Sequence, residues 1–237
     1  MEIRTFSSMA MPWTIYCDFD GTISTEDITD TLLDTFGMPG WQALEQRWVA
    51  GEIGSQDCMS GQIALLDAST TDLHRCLDSI HIDPDFAEFV RYVKAQHIAL
   101  NVVSDGLDYA INYLLQRHGI SGLPVFANQL LQISERRWSL NFPHYQQDCR
   151  KASGTCKCAI AGKTKTAADN SVMGKSLLIG DGRSDFCVSR QVEHVFAKDS
   201  LIRECQKNGT SFTPIDDFSQ AAEHLQRLLA NDVSGAM

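Results

Sequence analysis

The chain has 237 residues, 43% of them apolar and 21% charged, an ordinary balance for a water-soluble globular fold of one large domain, with or without an insertion. Its net charge of −10 contains no long run of either sign, which disfavours nucleic acid and anionic membrane as partners. No stretch approaches the roughly 20 apolar residues of a membrane span, and the first dozen residues lack the apolar core of a secretory signal, so they read as a ragged tail.

In chain order, residues 13–17 (WTIYC) form a short apolar, β-branched run that ends at Asp18-Phe19-Asp20-Gly21-Thr22. The pattern predicts a buried strand followed by a loop. Residues 27–36, 41–50, 55–67 and 70–80 have helical spacing, interrupted at Gly37-Met38-Pro39-Gly40 and near Gly51 and Gly54. The block 25–80 is thus mostly helical, with no convincing strand. Trp41 and Trp48, seven apart on one helical face, read as core of this block.

The pattern then alternates. A helix is predicted over 85–96, a strand over 98–103 running into Ser104-Asp105-Gly106, and a helix over 107–118. Strands follow over 124–131 and 137–142, then a polar irregular stretch over 145–157. A helix is predicted over 157–170 and a strand over 176–180 running into Asp181-Gly182-Arg183-Ser184-Asp185. A helix, a strand over 192–197, a helix over 199–207, a strand near 211–215 and a helix over 217–230 complete the chain.

Alternating strands and helices imply a parallel sheet covered on both faces, with ligands bound outside the carboxyl ends of its strands. Asp18 and Asp20, Ser104, and Asp181 and Asp185 all stand at such ends. Two carboxylates two residues apart can divide nucleophilic attack from proton transfer. Carboxylates are also hard oxygen ligands that suit Mg²⁺, with Asp181 supplying one more. A carboxylate attacking phosphorus would leave an aspartyl-phosphate for water to cleave. Such a site also needs a cation for the charge on the transferring group. Lys151, Lys157, Lys163, Lys165 and Lys175 all lie between Ser104 and Asp181. The cysteines Cys149, Cys156 and Cys158 cluster without the paired spacing of a zinc site and read as packing.

These motifs, in this order, resemble the haloacid dehalogenase (HAD) superfamily of phosphatases over roughly residues 13–230. The resemblance implies an α/β fold with a Rossmann-like parallel core over 12–24 and 84–232, and a small helical cap inserted over 25–83. It implies Asp18 as nucleophile and Asp20 as general acid and base. It implies Mg²⁺ held by the Asp18 side chain, the Asp20 backbone carbonyl and Asp181, with Asp185 in support. Ser104, with Asp105 and Gly106, would bind the substrate phosphate.

Gly154-Thr155-Cys156-Lys157-Cys158 resembles the Cys-Lys element of the methionine-salvage phosphatases acting on 2-hydroxy-3-keto-5-methylthiopentenyl-1-phosphate, and of the phosphoethanolamine/phosphocholine phosphatases. This favours Lys157, with Lys163 and Lys165 as the alternatives. Ala127-Asn128, Phe142-Pro143-His144 and Phe196-Ala197-Lys198-Asp199 are similar to further elements of the salvage branch. Ser104-Asp105-Gly106 departs from it, where Ser-Gly-Gly is expected. In the phosphoserine phosphatases, the cousins of this branch, an arginine of the cap grips the substrate carboxylate. Here Gln62 stands near that position, while Asp27 occupies the cap's acidic one. The expectation is a cytoplasmic enzyme, monomer or homodimer, that hydrolyses a small phosphorylated metabolite of the salvage type. Other small phosphomonoesters or a non-catalytic binding role are the alternatives.

Overall fold

The computed structural model describes residues 13–167 and 174–234. The amino-terminal tail, the end of the helix predicted to reach residue 170, and the side chains of Lys163 and Lys165 lie outside what it describes. Seven strands form one sheet: β1 (Trp13–Cys17), β2 (Ala99–Leu107), β3 (Val125–Ser134), β4 (Arg137–Asn141), β5 (Lys175–Gly180), β6 (His194–Ala197) and β7 (Phe212–Pro214). Their spatial order is β4-β3-β2-β1-β5-β6-β7, and every pairing is parallel except that of β3 with β4. The fold is α/β and Rossmann-like.

The central strand β1 has neighbours on both edges and is covered on both faces, which is why its sequence is apolar almost throughout. Ile15, Cys17 and Phe19 are fully buried. β1 is flanked by β2 and β5, with Cys17 opposite Val102 on one side and Ile179 on the other. This register brings the residues after Cys17, Val103 and Ile179 to one edge of the sheet.

Four helices separate β1 from the rest of the core: α1 (Ile28–Phe36), α2 (Trp41–Val49), α3 (Ser55–Ala64) and α4 (Thr70–Leu77). Asp27 caps α1, its Oδ1 accepting from Asp30 N at 2.9 Å. A reciprocal Ser69–Asp72 capping box starts α4. The segment leaves and re-enters the core side by side, where Ser24 bridges to Ile82. Its buried face, including Ile28, Leu32, Ile63, Leu73 and Leu77, is continuous with the apolar core beneath it. The β3–β4 hairpin supports it from the side. Trp138 Nε1 donates to the Ala68 carbonyl at 2.7 Å, and Arg136 pairs with Asp67 at 2.7 Å and Asp72 at 3.0 Å.

The remaining helices are α5 (Phe86–Ala95), α6 (Asp108–Arg117), α7 (Lys157–Ala167), α8 (Asp199–Asn208) and α9 (Phe218–Ser234). Two sequence expectations differ from the structure. The strand predicted to end at residue 103 continues through Ser104-Asp105-Gly106 to Leu107, with an irregularity in its pairing to β3. Those three residues are therefore a distorted strand end, held by the Gly106 N–H donating to Ser104 Oγ at 2.9 Å. The helix predicted after Asp185 is instead two 3₁₀ turns, Arg183–Asp185 and Val188–Arg190. Asp185 bends back on its own loop, its N–H donating to the Gly182 carbonyl at 3.0 Å and its Oδ2 accepting from Asp181 N at 3.2 Å. That closure competes with an α-helical ladder. Among the described residues, no helix is long and apolar enough to cross a membrane.

Candidate active site

The carboxyl ends of β1, β2 and β5 and the start of α7 meet at one edge of the sheet. Asp18 follows β1 and is 5% exposed. Its Oδ1 accepts from Phe19 N at 2.7 Å. Its Oδ2 is 2.6 Å from Lys157 Nζ and accepts from Ser184 Oγ at 3.1 Å. Lys157, the first residue of α7, also donates to Asp185 Oδ1 at 2.7 Å and Ser184 Oγ at 2.9 Å. Burial alone would push the Lys157 ammonium towards losing its proton. The facing carboxylates of Asp18 and Asp185 outweigh this and hold its pKa above the ordinary lysine value.

Asp20 lies on the same loop. Its Oδ1 accepts from Ile28 N at 3.0 Å, and its Oδ2 stands 3.4 Å from Ser104 Oγ. Burial, then the charge of Asp27, raises its pKa well above the usual carboxylate range. Gly21 turns the chain with φ +71°, and a Cβ there would lie 2.6 Å from Asp181 Oδ2. This close approach requires glycine and seats the loop against β5. Thr22 Oγ1 donates to Asp181 Oδ1 at 3.1 Å.

Asp18, Asp181 and Asp185 each bring a carboxylate oxygen within 4.8 Å of the others. Burial, then the charge of Asp18, raises the Asp181 pKa to about 6. Crowded carboxylates around one ammonium fit a hard divalent cation such as Mg²⁺. Asp18 and Asp181 are the better placed to hold it. Asp185 has one oxygen on Lys157 and the other on the Asp181 and Gly182 amides.

A cavity of about 330 Å³ opens above this edge. Asp18, Asp20, Ser104 and Asp181 form its floor, and Asp27, Glu45, Trp48, Met59 and Gln62 contribute to its upper wall. Trp41 is buried, as expected for core. Trp48 is not core: it lines the cavity, with the Arg183 guanidinium 5.2 Å from its ring centroid. Asp27 both caps α1 and lines the cavity.

Asp18, Asp20, Asp27, Ser104, Asp105, Gly106, Lys157, Asp181 and Asp185 gather at or beneath this cavity, whereas Lys175 pairs with Asp232 elsewhere. Asp105, expected to contact substrate, lines the cavity yet commits its carboxylate to the protein. Ser55 and the Thr155 amide donate to it, and Asn128 Nδ2 stands 3.3 Å from Oδ1. Sequence reasoning missed Ser184, Arg183 and Ser55, since a serine or arginine in a polar loop carries no periodic signal. The eight cysteines are all free thiols.

The Put_Phosphatase family model, described as "Putative Phosphatase", matches residues 13–203. The chain belongs to this family. It is 28% identical to the 2-hydroxy-3-keto-5-methylthiopentenyl-1-phosphate phosphatase of Bacillus thuringiensis subsp. konkukian (strain 97-27), over 91% of this chain and 96% of the relative. The protein of the same name from Bacillus cereus (strain AH820) matches with the same identity and coverage. A substrate-bound phosphoserine phosphatase superposes with a TM-score of 0.67 at 17% identity, covering 90% of this chain and 98% of that one. Phosphoserine phosphatase from T. onnurineus gives 0.64 at 13% identity, covering 93% and 97%. These structures share the fold. The chain is a phosphatase of the Put_Phosphatase family.

Proposed function

We propose that the protein is a Mg²⁺-dependent phosphomonoesterase that works through an aspartyl-phosphate on Asp18. The observation that carries this reading is Lys157 Nζ, held 2.6 Å from Asp18 and 2.7 Å from Asp185, with Asp18 facing a cavity that Asp20 and Ser104 also line. Asp18 attacks the phosphorus and the ester oxygen departs. Asp20 hydrogen-bonds the leaving oxygen and protonates it, then takes a proton from the water that cleaves the acyl phosphate. The raised pKa of Asp20 is compatible with carrying that proton. Ser104 Oγ and the backbone amides beside it bind phosphate oxygens. Lys157 neutralises charge that builds on the transferring group. The metal, held by Asp18 and Asp181 with the Asp20 carbonyl, would screen the repulsion between carboxylate and phosphate. A related fold has been solved as a phospho-aspartyl intermediate analogue of phosphoserine phosphatase, at 17% identity.

The cap segment 25–83 governs the leaving group. Among the described residues lining the cavity, Arg183 is the one cation, and it already stacks over Trp48. Gln62 offers no fork for a carboxylate. This argues against an anionic leaving group such as that of phosphoserine, and is in keeping with the substrate in the name of the relatives. The test is phosphate release from 2-hydroxy-3-keto-5-methylthiopentenyl-1-phosphate and from phosphoserine with Mg²⁺ present. The first is expected to be turned over with the higher kcat/KM, and Asp18→Asn is expected to abolish turnover of both. Undiminished activity in Asp18→Asn would remove the nucleophile assignment.

A further inference from the structure

We propose that Asp105 is a positioning residue that clamps cap helix α3 to the segment delivering Lys157, so that seating of the cap and placement of the lysine are coupled. The proposal rests on the assignment of Lys157 to the active site made above. It differs from a direct role in substrate binding, which the position of Asp105 next to Ser104 suggests.

The clamp is built from both sides of one carboxylate. Oδ2 accepts from the hydroxyl of Ser55, the first residue of α3. Oδ1 accepts from Thr155 N at 2.9 Å and from Asn128 Nδ2 at 3.3 Å. Asn128 is fully buried and completes the connection. Its Nδ2 donates to the Asp105 carbonyl at 2.6 Å, and its Oδ1 accepts from Thr155 Oγ1 at 3.1 Å. Thr155 stands two residues before Lys157. Asp105 is therefore joined by hydrogen bonds to the cap, to β3 and to the segment that leads into α7.

The surfaces that it joins meet without slack. A Cβ on Gly154 would lie 2.5 Å from Asn128 Oδ1 and 2.5 Å from a Phe142 ring carbon. On the cap side, Gln56 N donates to the Ala152 carbonyl at 3.0 Å, and a Cβ on Gly54 would lie 2.6 Å from the Ala152 Cβ. A shift of α3 is thus transmitted to residues 152–155, and from there to the Lys157 ammonium. The lysine tolerates little displacement, because misplacing a reacting group by about 1 Å can cost on the order of 100-fold in rate.

The asparagine isostere separates the two roles. In Asp105→Asn the amide oxygen can still accept from Thr155 and Asn128, and the amide nitrogen can donate to Ser55, whose hydroxyl accepts equally well. The charge is lost and the clamp is kept. We expect Asp105→Asn to hold kcat within about threefold of wild type, and Asp105→Ala to lower kcat by about 100-fold with a smaller change in KM. Ser55→Ala, which cuts only the cap side, should lower kcat by roughly 5- to 10-fold, and the Ser55→Ala/Asp105→Ala pair should be no worse than Asp105→Ala.

Amide hydrogen exchange supplies a readout independent of turnover. Exchange at Thr155 and Gln56 should quicken in Asp105→Ala and Ser55→Ala but not in Asp105→Asn. Should Asp105→Ala lose its thermal transition, Ser55→Ala carries the test alone. An Asp105→Asn enzyme as impaired as Asp105→Ala, with the loss in KM, would overturn the clamp in favour of a substrate contact. So would wild-type kcat and exchange in Ser55→Ala. A wild-type protein that hydrolyses no phosphate ester would count against the phosphatase mechanism, while the exchange experiment would still decide the clamp.

Discussion

At the scale of single residues, the site depends on how closely backbone and carboxylates approach. Gly106 shows this most sharply, since a Cβ there would lie 2.5 Å from Asp20 Oδ2 and 3.0 Å from Ser104 Oγ. Gly106→Ala must displace the Asp20 carboxylate or the Ser104 hydroxyl, the groups proposed to move the proton and to bind phosphate. Overpacking of this kind costs about 1–3 kcal/mol. We expect at least a tenfold loss of kcat/KM from phosphate-release kinetics, with the thermal transition retained. The motif Ser104-Asp105-Gly106 was legible as a strand end. That its middle residue would face Ser55, Asn128 and Thr155 was not, because those partners are 50, 23 and 50 residues away in the chain.

At the scale of elements, the helices were legible from their periodicity and their caps. Ser69-x-x-Asp72 opens α4 with a capping box, both side chains accepting from the other's backbone amide. Ser69→Ala is expected to lower stability by about 1 kcal/mol, measured by denaturant unfolding, because a buried-end amide loses its acceptor. The elements misread were those in which side chains override periodicity. Asp185 draws residues 181–185 into a 3₁₀ turn by accepting from the Asp181 and Gly182 amides. Trp48 shares a helical face with Trp41, yet it lines the cavity, facing Arg183 of the loop after β5. Both outcomes depend on partners that a window along one helix does not contain.

At the scale of the whole molecule, stability and the site are linked through charge. Asp18 and Asp185 contact the ammonium of Lys157, Asp20 and Asp181 stand beside them, and burial adds to the repulsion among these carboxylates. A ligand that binds the folded state alone stabilises it by about 2.7 kcal/mol at 100 times its Kd. Mg²⁺ is therefore expected to raise the Tm in differential scanning fluorimetry, and EDTA to reverse the rise. Asp181→Asn should diminish the response, and an unchanged Tm across millimolar Mg²⁺ would argue against this cation at these carboxylates.

The sequence by itself determined the alternation of strands and helices, the buried character of β1, β2 and β5, and the strand-end location of Asp18, Asp20, Ser104 and Asp181. Those properties follow from local periodicity and from the rule that a parallel sheet presents its strand ends at one edge. Only the tertiary structure decided which lysine stands beside Asp18, that Asp185 is occupied by Lys157 and its own loop, and that Asp105 joins α3 to the segment leading into α7. Each of these is a hydrogen bond or ion pair between segments far apart in the chain. Such a contact is set by strand order and loop path, and neither is written in the spacing of any one segment.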